Sequence, residues 1–233
     1  MKKIIFRAKD ITAEIIDAPP KKATAFIPEW YKNMSPFRNG QKKFYWPNDD
    51  ATPSTIKKCV PFLDAMMAGY VVYTTEEILV VNDGHSLQMR YLSTERKLID
   101  SHPAEQYQGM QIPPEYISEI AFKWQNFWTA KTPKGYSLFF THPVNRLDLP
   151  FLTLSGFVDS DSYERVVNFP FFLKKDFQGI IPIGTPIAQF FPVKREKWVS
   201  QVKKFDEKKN IKTFQNTFID YYKKNFWVRK DYS

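Results

Sequence analysis

Between residues 59 and 193 the chain runs in short apolar stretches separated by glycine, proline and aspartate, a rhythm that predicts strands rather than helices. Residues 69–74 and 78–81 are β-branched and aromatic, and Asn82-Asp83-Gly84 is a turn signal ahead of an apolar stretch at 87–92. The turn Thr132-Pro133-Lys134-Gly135 leads into a strand at 136–141, and further strands are expected at 151–158, 165–173 and 187–193. Residues 101–114 read as loop. Residues 116–128 fit either period: Trp124 and Trp128 are four apart, yet Ile120-Ala121-Phe122 suits a strand. With no long helical pattern between these strands, a mainly β body over 59–193 is expected, an antiparallel β-barrel or sandwich.

The two ends differ from this body. Residues 3–9 read as a strand and 14–16 as the start of another, until Pro19-Pro20 breaks the pattern. Residues 19–55 are irregular, with Pro28, Pro36, Pro47 and Pro53 set among seven large rings, and 27–32 fits one helical turn with Pro28 near its first position. So many rings left in solvent would be costly, so 1–58 is expected to be a strand followed by an aromatic arm packed on the body. Beyond 193 the period switches. Ile211, Phe214, Phe218, Tyr221 or Tyr222, and Asn225 recur at three and four residues, which predicts helices at 196–205 and 212–225 in a tail spanning 194–233.

Composition narrows the class. At 233 residues, 17% aromatic and 25% charged, the chain can bury a core and is not disordered by composition. It has no apolar run of about 18 residues, and its first residues meet charge before a signal-type apolar region develops. Cys59 is the single cysteine, so no internal disulfide forms and a reducing compartment is expected. The net charge is +9, and the tail's twelve basic and five acidic residues carry +7 of it. Two readings of the tail stay open: a solvated helix face, or a weak polyanion-binding site at Lys203, Lys204, Lys208 and Lys209.

Candidate chemistry gathers after the strand at 151–158. Asp159 and Asp161 stand one residue apart behind Gly156, an arrangement able to hold a water or cation, with one carboxylate as a general base toward a phosphate. The plain structural alternative is a polar turn whose Asp and Ser side chains bond to backbone amides. His102 and Glu105 form an H-x-x-E, but Pro103 opposes a helix there and no third ligand is evident, so no metal site is expected. His142 at a strand end reads as a hydrogen-bonding histidine, and Cys59 ahead of Pro61 as a buried one.

The order of short motifs resembles the trimeric dUTPase and dCTP deaminase superfamily. Residues 64–73 are similar to its A-G-[YF]-D-L motif, Pro143-Val144-Asn145-Arg146 to its P-R-S segment, residues 156–163 to its G-x-I-D-x-D-Y hairpin, and Gly184-Thr185-Pro186-Ile187-Ala188-Gln189 to its G-x-R-I-A-Q strand. The resemblance implies a dUTPase-like barrel that associates with itself. It places Asp159 as the residue orienting the attacking water, Tyr163 against a deoxyribose, and Asn145, Arg146, Asp161 and Gln189 around a nucleotide-like pocket, with Mg²⁺ on a triphosphate. Several positions depart from the pattern. Val71 replaces an Asp, Leu147 a Ser, Ser162 is inserted before Tyr163, Glu164-Arg165 stand where a glycine and an acid belong, and the Gly-rich tail is missing. Since phosphoryl transfer rests on positioning and charge neutralisation, these losses predict the barrel without the enzyme.

A second resemblance covers nearly the whole chain. Phe26-Ile27-Pro28-Glu29-Trp30-Tyr31-Lys32, Cys59-Val60-Pro61-Phe62-Leu63-Asp64, His142-Pro143-Val144-Asn145-Arg146 and Val167-Asn168-Phe169-Pro170-Phe171-Phe172 look like a family of uncharacterised proteins of tailed bacteriophages, chiefly myoviruses. That resemblance implies a phage origin, a host-cytoplasm setting and a place in the virion. The expected function is a non-enzymatic accessory or virion-associated protein without a cofactor, its partners being itself, other phage proteins or a polyanion, and no membrane. The alternative is an enzyme that hydrolyses or deaminates a deoxynucleoside triphosphate with Mg²⁺ or a bound water.

Overall fold

A computed structural model describes residues 2–38, 54–82, 86–91, 96–206 and 221–230. In chain order its elements are β1 (Ile5–Ala8), α1 (Ile11–Ile16), β2 (Lys21–Lys22), α2 (Glu29–Asn33), α3 (Val60–Met67), β3 (Tyr70–Tyr73), β4 (Ile78–Asn82), β5 (Leu87–Arg90) and β6 (Ile99–Pro103). They continue with β7 (Ile120–Trp124), β8 (Trp128–Lys131), β9 (Tyr136–Thr141), β10 (Phe151–Thr153), β11 (Gly156–Val158), β12 (Phe169–Leu173), β13 (Gly179–Ile181), β14 (Pro186–Lys194) and α4 (Tyr221–Asn225). The protein is mainly β with few, short helices, and among the described residues no helix is long and apolar enough to cross a membrane. Two compact units emerge, residues 1–27 with 66–195, and residues 28–65 with 196–233.

In the first unit every strand pairing is antiparallel. The sheets run β11-β9-β14-β3-β2, β10-β12-β7-β6 and β13-β4-β5, with a β1-β8 ribbon. No set of the described strands closes on itself as a barrel. Period-two alternation sorts the side chains: on β4 Ile78 and Val80 are buried while Leu79 is exposed, and on β13 Ile181 points in and Ile180 out. These inner faces meet β7, β10, β12 and β14 in one core. At its centre Trp124 stacks on Phe171 with ring centroids 4.1 Å apart, and Phe151 packs edge-on to Trp124 at 4.9 Å.

Local choices differ from the sequence-based expectation at several places. Residues 14–16 belong to helix α1, not a strand: Asp10 caps it by accepting the Ala13 amide at 2.8 Å, and the chain turns before a strand can extend. Residues 101–103, where loop was expected, belong to strand β6, pairing His102 with Ala121, and a short 3-10 turn follows at Ala104–Tyr107. The expected strand at 151–158 is two strands in different sheets, β10 on β12 and β11 on β9. Gly156 permits that crossing, because a Cβ there would lie 2.6 Å from the Phe140 ring. Within the ambiguous 116–128 there is no helix: 120–124 form strand β7 and Trp128 opens β8, while β4 and β5 pair across Asn82 and Leu87, although most of the predicted turn lies outside the described residues.

In the second unit Pro28 precedes α2, and its carbonyl accepts the Tyr31 and Lys32 amides at 3.1 Å. Buried Tyr31 stacks on Phe62 at 6.0 Å, and the Lys57 ammonium lies 4.6 Å from the Tyr31 ring centre while donating to the Lys32 carbonyl at 2.9 Å. Asp64 of α3 accepts the Trp227 indole N–H at 2.8 Å and pairs with Lys230 at 2.6 Å. The helix expected at 196–205 is not formed: residues 196–206 carry no helix or strand. The apolar side chains of this stretch, Trp198, Val199, Val202 and Phe205, are 77–98% exposed, and a ten-residue helix without a surface to pack on is marginal in water. Of the helix expected at 212–225 only α4 lies among the described residues, together with none of Lys208 or Lys209.

Candidate functional site

The loop after β11 is a tight polar turn. The Asp159 carbonyl accepts the amides of Ser162 (3.0 Å) and Tyr163 (2.9 Å), and buried Ser160 bonds to Thr132 through their hydroxyls at 2.8 Å. This turn faces the start of β9 and the end of β14, where Arg195 leaves the sheet with its amide bonded to the Gly135 carbonyl at 2.9 Å. Its guanidinium lies 3.1 Å from Asp159 and 3.0 Å from the Ser137 hydroxyl, and it holds Asp161 as well. Ser137 in turn donates to Asp159 at 2.7 Å, and the Gly135 amide donates to Asp161 at 2.8 Å. Arg195 first, then the Gly135 amide, hold the Asp161 carboxyl below the usual carboxylate range, and Asp161 pushes the Arg195 guanidinium up.

Gln189 and its neighbours lie elsewhere. Gln189, 2% exposed, accepts the Val144 amide at 2.9 Å and donates to the Ala68 carbonyl at 2.7 Å, so its amide fastens the 143–146 turn to the chain ahead of β3. Asn145 sits in that turn with φ of 62°, and Arg146 lays its guanidinium on Asp148 at 2.8–3.2 Å. His142 completes the turn, Nε2 against the Arg146 carbonyl at 3.0 Å and Nδ1 accepting the Thr153 amide at 3.3 Å. It is a hydrogen-bonding histidine, and burial lowers its pKa.

The register measures the gap between these groups. Gln189 is opposite Thr141 and Lys194 opposite Tyr136, so five residues, about 17 Å at roughly 3.3 Å each, separate them along β9. Asp159 and Asp161 come together; Asn145, Arg146 and Gln189 come together; the two sets do not meet within one chain. Tyr163 is 47% exposed and with Arg165 borders a cavity of about 40 Å³, far below the several hundred Å³ of a nucleotide-sized pocket. Lys203 and Lys204 are exposed. His102 faces Asp100 at 3.2 Å, no group of metal-ligating side chains occurs among the described residues, and Cys59 is half-buried rather than buried.

Sequence reasoning missed Arg195, which counted only as tail charge. Its signal was its place just past a strand, opposite a D-x-D turn. The molecule is thus an antiparallel, mainly β protein whose polar turns are held by internal ion pairs. No family model matches the chain, and no curated protein matches it.

Proposed function

We propose that this chain is a non-enzymatic accessory or virion-associated protein of a tailed phage, on a scaffold related to the dUTPase-like barrel. One observation carries the reading: the carboxylate in the position of a catalytic base, Asp159, is engaged by Arg195 at 3.1 Å and by Ser137 at 2.7 Å. A general base needs a lone pair facing its water and a cationic clamp facing the phosphates. Here the nearest cation is turned onto the base itself, and Arg146 is turned onto Asp148. Exposed apolar side chains at Ile11, Ile15, Phe157, Trp198 and Val202 suit a protein that works by contact with others.

The test is incubation of the full chain with a panel of ribo- and deoxynucleoside triphosphates and Mg²⁺. No release of pyrophosphate or ammonia is expected. Turnover that Asp159→Asn abolishes would establish the nucleotide-processing alternative instead. Mass spectrometry of purified virions then separates a virion component from one confined to the infected cell.

A further inference from the structure

Two apolar faces of this chain stand in solvent, one in each compact unit. The first is on residues 196–205, which follow Arg195 out of β14 and carry no helix or strand. Trp198, Val199, Val202 and Phe205 are all exposed there, yet their spacing is helical. At 3.6 residues per turn the four fall within an arc of about 120°, with Lys197, Ser200 and Lys204 on the far side. An extended strand would split them, Trp198 and Val202 to one face, Val199 and Phe205 to the other. The sequence thus encodes an amphipathic helix whose apolar stripe lacks a surface, and ten residues do not hold a helix alone in water.

The second face is on α1. Ala13 is buried on its inner side, while Ile11 and Ile15, one turn apart on the outer side, are 68% and 76% exposed. Ile16 adds a half-exposed side chain beside them. A foreign partner seated on 196–205 would leave α1 in water; a second copy covers both faces twice and closes the assembly. Each aromatic ring carries about 150–250 Å² and each aliphatic side chain roughly 100 Å². At the exposures found, the two faces offer about 700 Å² per copy, and a two-fold pair buries about 1,400 Å², inside the roughly 1,200–2,000 Å² of stable interfaces. The margins carry opposite signs: Glu14 is exposed beside Ile11, and Lys203 flanks Val199. Lys9 and Asp10, ahead of α1, face each other at 3.8 Å.

We infer that the protein pairs with a second copy of itself, residues 196–205 of each folding as a helix on α1 of the other. The inference rests on the reading of a protein that works by contact, and its test reads mass rather than turnover, so either can fail alone. The full chain is followed by sedimentation equilibrium and far-ultraviolet circular dichroism as its concentration rises. Twice the chain mass and a gain of helix are expected to appear together at micromolar concentration. Val202→Asp and Ile15→Lys alter exposed side chains, which folding tolerates, and each is expected to weaken pairing about tenfold or more. Mixed, these two variants should pair with each other more tightly than either does with itself, because one contact of the mixed pair is native and the other joins opposite charges. Lys197→Glu/Lys204→Glu, on the far side of the helix, should leave pairing unchanged. A monomer at every concentration up to about 100 μM, a trimer, or helix gained at constant mass, as when the segment folds onto α1 of its own chain, would overturn the proposal. So would pairing that Val202→Asp or Ile15→Lys leaves intact, pairing lost in Lys197→Glu/Lys204→Glu, or no gain on mixing.

Discussion

Arg195 lies 3.1 Å from Asp159 across the end of β9, and the same guanidinium holds Asp161. One side chain from the exit of β14 thereby closes the turn after β11, and both acids that looked chemically poised act as fasteners. Gln189 does the same at the other end of β9 through Val144 and Ala68. The polar residues that resemble a nucleotide site are those that tie connecting turns to the sheet.

The Arg195 clasp predicts a pH dependence. Asp161 titrates below its ordinary value, chiefly because of Arg195. A depressed carboxyl contributes stability that is complete above its unfolded pKa, about 3.9, and is lost as pH falls through the folded value. Arg195→Gln should lower the urea midpoint at neutral pH, and the gap to wild type should close as pH drops below about 4. A gap that stays constant across that range would show that the ion pair contributes nothing.

His142 predicts a second one, at higher pH. The Thr153 amide can only donate, so Nδ1 accepts and the neutral ring carries its proton on Nε2, toward the Arg146 carbonyl. Burial lowers the pKa, so the unfolded chain takes up the proton first. Stability from this residue is complete above about pH 6.5 and declines as pH falls toward the folded value. His142→Leu should cost about 2 kcal/mol at pH 7.5, by leaving two backbone groups unpaired, and should flatten the pH dependence below 6.5. Denaturant titrations at stepped pH measure both effects.

Two glycines separate clash from backbone strain. Gly69 has φ of +69°, and a Cβ on it would lie 2.1 Å from the Phe190 carbonyl oxygen; Gly135 has φ of +84° with open space around it. Gly135→Ala should therefore cost about 1 kcal/mol, the left-handed conformation alone. Gly69→Ala should cost about 3 kcal/mol or more, since the neighbouring backbone must also move. Comparable denaturation midpoints for the two variants would contradict the close approach of β3 and β14.

How far the sequence carried depended on where the determining contact lay. The strand at Tyr136–Thr141 was legible because its turn and its alternation are local. Strand β6 was not, since Ser101, His102 and Pro103 read as loop; as the outer strand of its sheet it tolerates them, Pro103 standing at the exposed margin. The split between β10 and β11 is dictated by the Phe140 ring opposite Gly156, on a strand earlier in the chain. The same holds for the site. Asp159 and Asp161 were identifiable as a pair, but Arg195, thirty-four residues beyond Asp161, is joined to it only by sheet register.

The core stack is the next test. Phe171 is fully buried between Trp124 at 4.1 Å and Phe122 at 5.4 Å, and its Cα faces Phe122 across the β12–β7 pairing. Phe171→Ala should destabilise the first unit by about 3–5 kcal/mol, from lost burial plus a cavity the rigid sheets cannot refill. Phe157→Ala, on a side chain 64% exposed, should change stability by less than about 1 kcal/mol. Guanidinium unfolding followed by tryptophan fluorescence reports both.

The basic tail makes the last prediction. Of its +7, Lys203 and Lys204 are exposed on a segment without helix or strand, so they reach solvent without any lysine-rich helix face to order them. Phosphates on a polyanion would release counterions at such a segment, which gives weak binding that falls steeply with salt and carries no sequence preference. Charge reversal at Lys203, Lys204, Lys208 and Lys209 should shift elution from heparin to markedly lower salt and leave the unfolding midpoint unchanged. Because each phosphate contact contributes about 0.7–0.9 to the logarithmic salt slope, the variant's slope on single-stranded DNA should fall by about 1–3. Identical elution and slope would mean that these lysines only solvate the chain, and the +9 net charge would then have no polyanion partner in this segment.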